Sequence, residues 1–269
     1  MKISIILLGL VLCLPLMAAD QKPLTKEQSA KVIEAAIRKA TGKLTGEITK
    51  TDCEKVRKLY LRNNKLIEVP KGLEKLKNLT YLNLYDNKLT NVKSLEKLTQ
   101  LDGLVLTENQ LTNVKSLEKL TQLRGLFLSN NQLIDVTGLE KLTQLEYLDL
   151  SNNKLTSVKG LEKLTELTDL YLNGNQLIDV TELEKLTQLE CLNLSGNKLA
   201  EVPKSLDKLK QLKTLWLGGN KLTSVKGLEK LTHLTDLTFF GGNPNLSKAQ
   251  IAQLRKALPK CEIIYFSTK

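Results

Sequence analysis

The 269-residue sequence predicts an α/β solenoid, a curved array of short stacked units with one strand and one helical or 3₁₀ turn each, closed by helices at both ends. Three observations predict it. Asparagine recurs every 22 or 23 residues, at Asn64, Asn87, Asn109, Asn131, Asn153, Asn175, Asn197, Asn220 and Asn243. Each closes the same phrase, written LEYLDLSNNKL from Leu145 to Leu155, with leucine at places one, four, six and eleven and asparagine at place nine. Between phrases stands a second one, such as TSVKGLEKLTE from Thr156 to Glu166, with apolar residues Val158, Leu161 and Leu164.

Residues 1–19 carry one early lysine, an apolar run from Ile3 to Leu14 and the small residues Ala18 and Ala19. This is the pattern of a signal peptide and is too short for a membrane span, so an exported protein, periplasmic or secreted, is expected. Cys13 offers a second processing route, lipid attachment, but Leu12 before it is bulky where such sites favour a small residue. No later apolar run has spanning length, so no transmembrane segment is expected in the mature chain.

Residues 20–55 are expected to form the N-terminal cap. Thr25 to Thr41 reads as an amphipathic helix with Val32, Ile33, Ala36, Ile37 and Ala40 on one face. Thr25 and Gln28 have capping-box spacing, and Gly42 ends the helix. Residues 56–243 hold about nine repeats. The xLxL half of each phrase makes a short parallel strand, the chain turns at the asparagine, and LEKL returns along the outer side. A unit of this length buries its leucines only against a neighbour. A buried asparagine is costly unless bonded, so the nine asparagines are expected to form a structural ladder on backbone groups. Val69-Pro70 and Val202-Pro203 stand where other repeats have Val-Lys or Val-Thr, and those units are expected to bend locally. Residues 244–269 are expected to be a C-terminal cap: Ser247 and Gln250 open a helix carrying Ile251, Leu254 and Leu258, Pro259 stops it, and Cys261 to Phe266 supply a last strand.

The phrase LxxLxLxxNxL, in about nine copies over Val56 to Asn243, resembles that of leucine-rich repeat proteins. With LEKLTQL at 22-residue spacing, it is similar to the repeats of bacterial internalins and of eukaryotic phosphatase-regulating repeat proteins. The resemblance implies a curved solenoid with strands on the concave side and a partner protein held there. No immunoglobulin-like segment or anchoring tail is read after the repeats, so attachment to host cells in the internalin manner is not implied.

Three cysteines remain after Cys13, and the stack separates its ends by roughly 40 Å at about 4.8 Å per strand. Disulfides need Cα atoms within about 7 Å, so Cys53, Cys191 and Cys261 are expected as free thiols. Cys53 takes a leucine-like buried place and Cys261 packs in the cap, whereas Cys191, at place three of its phrase, is either a small filler or a reactive group.

The formal charge is +11, concentrated at the N-terminal end: residues 21–80 hold 15 Lys and Arg against 7 Asp and Glu, and residues 81–269 hold 24 against 21. Without an arginine cluster or RNA-binding signature, nucleic acid is not the expected partner. With leucines of places four and six in the core, places three, five and seven point outward. Eight of the eleven aromatics fall there: Tyr60, Phe127, Tyr171 and Trp216 at place five, Tyr81 and Tyr147 at place three, Tyr85 and Phe240 at place seven. Phe127, Tyr147 and Tyr171 lie on consecutive strands and predict one patch; Tyr60, Tyr81 and Tyr85 predict a second. Strand propensity alone also favours rings at such places. With Asp149, Asp169, Asn83, Asn173 and Asn193 among them, they otherwise make a surface suited to a protein partner. Carbohydrate or cell wall is the alternative ligand, and a purely structural envelope protein the third reading.

Catalysis requires an acid, base, nucleophile or metal placed together. His233 is the only histidine and reads as an exposed flank residue. GxSxG, HExxH, CxxC and P-loop motifs do not occur. No enzyme activity, cofactor or metal is expected, and the chain is expected to be a monomer.

Overall fold

The computed structural model describes residues 24–265; the expected signal peptide, residues 20–23 of the expected N-terminal cap, and residues 266–269, with Phe266 of the expected last strand, lie outside them. Ten strands form one parallel sheet: β1 (Lys58–Tyr60), β2 (Tyr81–Asn83), β3 (Gly103–Val105), β4 (Gly125–Phe127), β5 (Tyr147–Asp149), β6 (Asp169–Tyr171), β7 (Cys191–Asn193), β8 (Thr214–Trp216), β9 (Asp236–Thr238) and β10 (Glu262–Ile264). Each strand pairs with the next in chain order. Short 3₁₀ turns such as Leu161–Lys163 return the chain on the convex side.

Periodicity becomes packing through this order. Strand leucines such as Leu148 and Leu150, turn leucines such as Leu161 and Leu164, and Val158 are all fully buried. Each buried leucine contributes about 1.5–3 kcal/mol, and stacking repeats that gain along a continuous column.

The asparagines join the column's units. Asn153 donates from Nδ2 to Leu150 O and Ser151 O of its own repeat and to Leu128 O of the preceding one, at 3.0–3.2 Å. Its Oδ1 accepts the Leu133 N–H, also one repeat back, at 3.0 Å. Asn109, Asn131, Asn175 and Asn197 repeat this pattern. Asn64 departs from the expected ladder. It belongs to the first repeat, stays half-buried, and donates only to Arg62 O among the bonds of its side chain. Among the described residues no strand precedes β1, so no earlier repeat offers it a carbonyl.

Place eight is left-handed throughout: Asn63, Asp86, Glu108, Asn130 and Asn152, then Gly174, Gly196, Gly219 and Gly241 all have positive φ, as does Gly242, the extra residue before Asn243 in the last repeat. The change to glycine has a steric reason at Gly174, where a Cβ would collide with the Asn152 side chain.

Helices flank both ends. α1 (Lys26–Thr41) has the expected capping box at Thr25 and Gln28 and ends at Gly42 with φ 69°. A second, six-residue helix was not expected from the sequence: α2 (Lys50–Lys55), capped reciprocally by Thr49 and Asp52. Its box uses Asp at N3, and six residues are too few to show a periodicity. The Lys43 ammonium, 2.7 Å from Asp52, and the Thr49 bonds hold that carboxyl well below the usual range. Cys53 is buried as expected, on α2. α3 (Lys248–Ala257) is capped by Ser247 and Gln250, and β10 continues the sheet beyond β9.

Replacing Asn153 by alanine leaves three carbonyls and the Leu133 N–H without their amide partner. The expected cost is at least about 2 kcal/mol, read as a lowered urea midpoint; a loss below about 0.5 kcal/mol would contradict the ladder's role.

Candidate functional site

Register fixes which side chains meet on the concave face. Along place three the neighbours run Tyr81, Gly103, Gly125, Tyr147, Asp169, Cys191, Thr214, Asp236 and Glu262. Along place five they run Tyr60, Asn83, Val105, Phe127, Asp149, Tyr171, Asn193, Trp216, Thr238 and Ile264. Aromatic and small polar residues alternate through the place-five row from Phe127 to Thr238, and Tyr147 is the one ring in the middle of the place-three row.

Four rings assemble across these rows. Phe127 stacks on Tyr147 at 4.7 Å between centroids, Tyr147 meets Tyr171 at 5.3 Å, and Tyr171 meets Trp216 at 6.1 Å. The expected patch of three therefore extends to Trp216, whose ring reaches Tyr171 across the intervening β7. Sequence separation hid this contact, because Asn193 and Cys191 are small enough to be bridged. All four rings are half-buried. Their contacts are each worth about 0.5–1.5 kcal/mol beyond area, so the row is also a stabilising feature.

The second group is looser. Tyr60 and Tyr81 lie 5.7 Å apart, and Tyr60 is 56% exposed. The Tyr81 ring covers Gly103, where a Cβ would stand 2.8 Å from it. Tyr85 is half-buried, with its backbone N–H on Asn83 Oδ1 at 2.9 Å. Phe240 is 68% exposed near the C-terminal end.

Asp149 and the place-five asparagines have a local role that the sequence reading did not assign. Asp149 Oδ1 accepts the Ser151 N–H at 2.9 Å and the Ser151 hydroxyl at 2.6 Å, and Asn193 Oδ1 accepts the Ser195 N–H at 3.0 Å. Asn83 does the same for Tyr85.

Burial sets the electrostatics. The Asp169 carboxyl is pushed up by desolvation and by neighbouring Glu190, against the opposing effect of the Thr168 hydroxyl bonded at 2.8 Å. Tyr147 and Tyr171 are likewise raised, first by burial. Cys191, with Sγ 3.6 Å from the Tyr171 hydroxyl, is pushed up to about 11 by desolvation. The thiols of Cys53, Cys191 and Cys261 are free. At the N-terminal end, α1, α2 and the first convex turn enclose an open, mostly apolar cleft of about 690 Å³ that includes Ile33, Ile37 and Cys53.

Comparison with known proteins gives the family. Models described as leucine-rich repeats match residues 54–111, and models of two such copies match 143–186, 165–210 and 187–230. The chain belongs to the leucine-rich repeat family. Its repeats are internalin-like: internalin C2 of Listeria monocytogenes is 32% identical, with TM-score 0.72, over 76% of this chain and 90% of that one. An internalin (inlF) of the same organism is 27% identical, with TM-score 0.70, over 87% and 74%. A leucine-rich repeat protein of Leptospira interrogans is 33% identical, with TM-score 0.65, over 80% and 62%. No curated protein matches the chain. The leucine-rich repeat fold is typical of protein-interaction scaffolds, no catalytic family is matched, and no helix among the described residues is long and apolar enough to cross a membrane.

Two outcomes follow from the electrostatics. Ionising Asp169 costs more in the fold than in the unfolded chain, so at pH 7 the Asp169→Asn protein is expected to melt higher than the wild type. That gain should shrink as pH falls through the raised folded pKa and vanish below the ordinary carboxyl range; a gain that grows on acidification contradicts the assignment. Cys191 should alkylate with iodoacetamide at pH 8 more than about tenfold slower than an ordinary thiol, measured by peptide mass spectrometry.

Proposed function

We propose that this leucine-rich repeat protein is exported by its N-terminal signal segment, outside the described residues, and holds a protein partner on its concave face without catalysis. The anchors are the Phe127, Tyr147, Tyr171 and Trp216 rings, with Asp149 beside them. Tyr60, Tyr81 and Tyr85 are the contact group near the basic end, and Phe240 is the contact at the far end.

One observation carries this reading. Four half-buried rings in mutual contact span β4 to β8 on the outward side of a sheet whose core already holds the leucines. Aromatic residues held rigidly at the centre of a surface are the residues in which binding energy concentrates. A sugar needs an open ring face. Here Phe127 and Tyr147 stack on each other, and Asp149 and Asn193 already accept bonds from their own strands. These contacts favour protein over carbohydrate.

The test is binding by the wild type and by the Tyr147→Ala, Tyr171→Ala double variant to proteins of the native envelope or culture medium, with glycan arrays in parallel. Once a captured protein is purified, its affinity for the double variant is expected to fall at least about 100-fold, as loss of hot-spot side chains does. Unchanged affinity removes the row from the interface; binding to glycans alone replaces the protein partner with a carbohydrate.

A further inference from the structure

Two adjacent strands carry the same three-residue pattern in opposite order: Tyr147-Leu148-Asp149 on β5 and Asp169-Leu170-Tyr171 on β6. Register sets Tyr147 against Asp169 and Asp149 against Tyr171. With the leucines turned inward, the outward side chains make a square with tyrosines on one diagonal, 5.3 Å apart, and carboxylates on the other. Phe127 and Trp216 extend the ring diagonal on either side.

The charge around this square is one-sided. In a chain with a formal charge of +11, places three, five and seven of β3 to β9 hold Asp149, Asp169 and Asp236 and neither lysine nor arginine. Basic residues at such places are confined to Lys58 and Arg62 of the first repeat. Acids on the flank, one residue before place three, do have partners: Glu146 pairs with Arg124 at 3.1 Å and Glu190 with Lys213 at 2.6 Å. Among the described residues, no lysine or arginine pairs with Asp149 or Asp169. An aromatic surface that contains carboxylates and no cation of its own is complementary to a cation, which gains both ion pairing and attraction to the ring faces.

Resting on the concave protein-binding reading, we infer that the partner presents an extended cationic segment to β4–β8, with a lysine or arginine side chain paired to Asp169 beside Tyr147 and Tyr171. Size agrees with one short segment. Four strand spacings of about 4.8 Å separate β4 from β8, roughly 19 Å, which about six extended residues cover. The half-buried Asp169 carboxylate, bonded to its Thr168 neighbour and otherwise without a cation, is where desolvation makes such pairing strongest.

An array of random dodecapeptides probed with the full chain tests this, followed by solution affinities of the retained peptides. Retained peptides are expected to be enriched in lysine and arginine. Their affinity should fall about tenfold or more with Asp169→Asn, and similarly when the peptide lysine is replaced by norleucine. It should also weaken between 0.05 and 0.5 M salt. Glu96→Gln, on the convex side, should leave it unchanged. Peptides retained without cation preference, insensitive to Asp169→Asn yet lost with Tyr147→Ala plus Tyr171→Ala, overturn the cationic assignment and leave the concave protein site standing. Retention of no peptide overturns the extended cationic segment and leaves the concave protein site to the protein-capture test.

Discussion

The carboxamide at place nine bonds at once to its own turn and to the repeat before it, so each repeat's strand position depends on its predecessor's backbone. Asn153 donates to Leu128 O and accepts from Leu133 N–H while also bonding within its own turn. Buried among leucines, such an amide is tolerable only with its bonds made. The same geometry that completes the bonds keeps successive strands in parallel register. Every lateral contact on the concave face depends on that register: the meeting of Phe127 with Tyr147, of Tyr147 with Asp169, and of Trp216 with Tyr171.

Stability and binding pull against each other on that face. The rings stabilise the sheet by packing together, as strand propensity favours, and so satisfy a structural reading of their placement. Asp169 does not: its carboxylate is partly desolvated, has an acidic neighbour in Glu190, and is harder to ionise than an ordinary aspartate. A residue that weakens the fold where it stands is more informative about function than one that packs well. Cys191 takes the opposite position. Burial beside the Tyr171 hydroxyl raises its thiol to about 11, which disfavours the reactive thiolate.

Much of this was legible from residue spacing. The solenoid, the inward leucines and the contact of Phe127, Tyr147 and Tyr171 follow from periods of 22 and of two, the capping boxes of α1 and α3 from a three-residue spacing, and the free thiols from the distance between strands. What escaped had no periodic signal. α2 is six residues long with aspartate in its capping box, and Asn64 looks like every other ladder asparagine while lacking a repeat before it. The Asx bonds of Asp149 and Asn193 depend on strand-end geometry that composition does not encode.

The sequence by itself determined which side of each strand faces the column and which faces out, because side-chain parity in a strand is fixed by covalent geometry. Only the tertiary structure decided which outward residues touch, because lateral contact depends on register between segments more than twenty residues apart and on ring orientation. Thus the Tyr171–Trp216 contact over β7, and the square of two tyrosines and two aspartates on β5 and β6, exist only once the strands are paired.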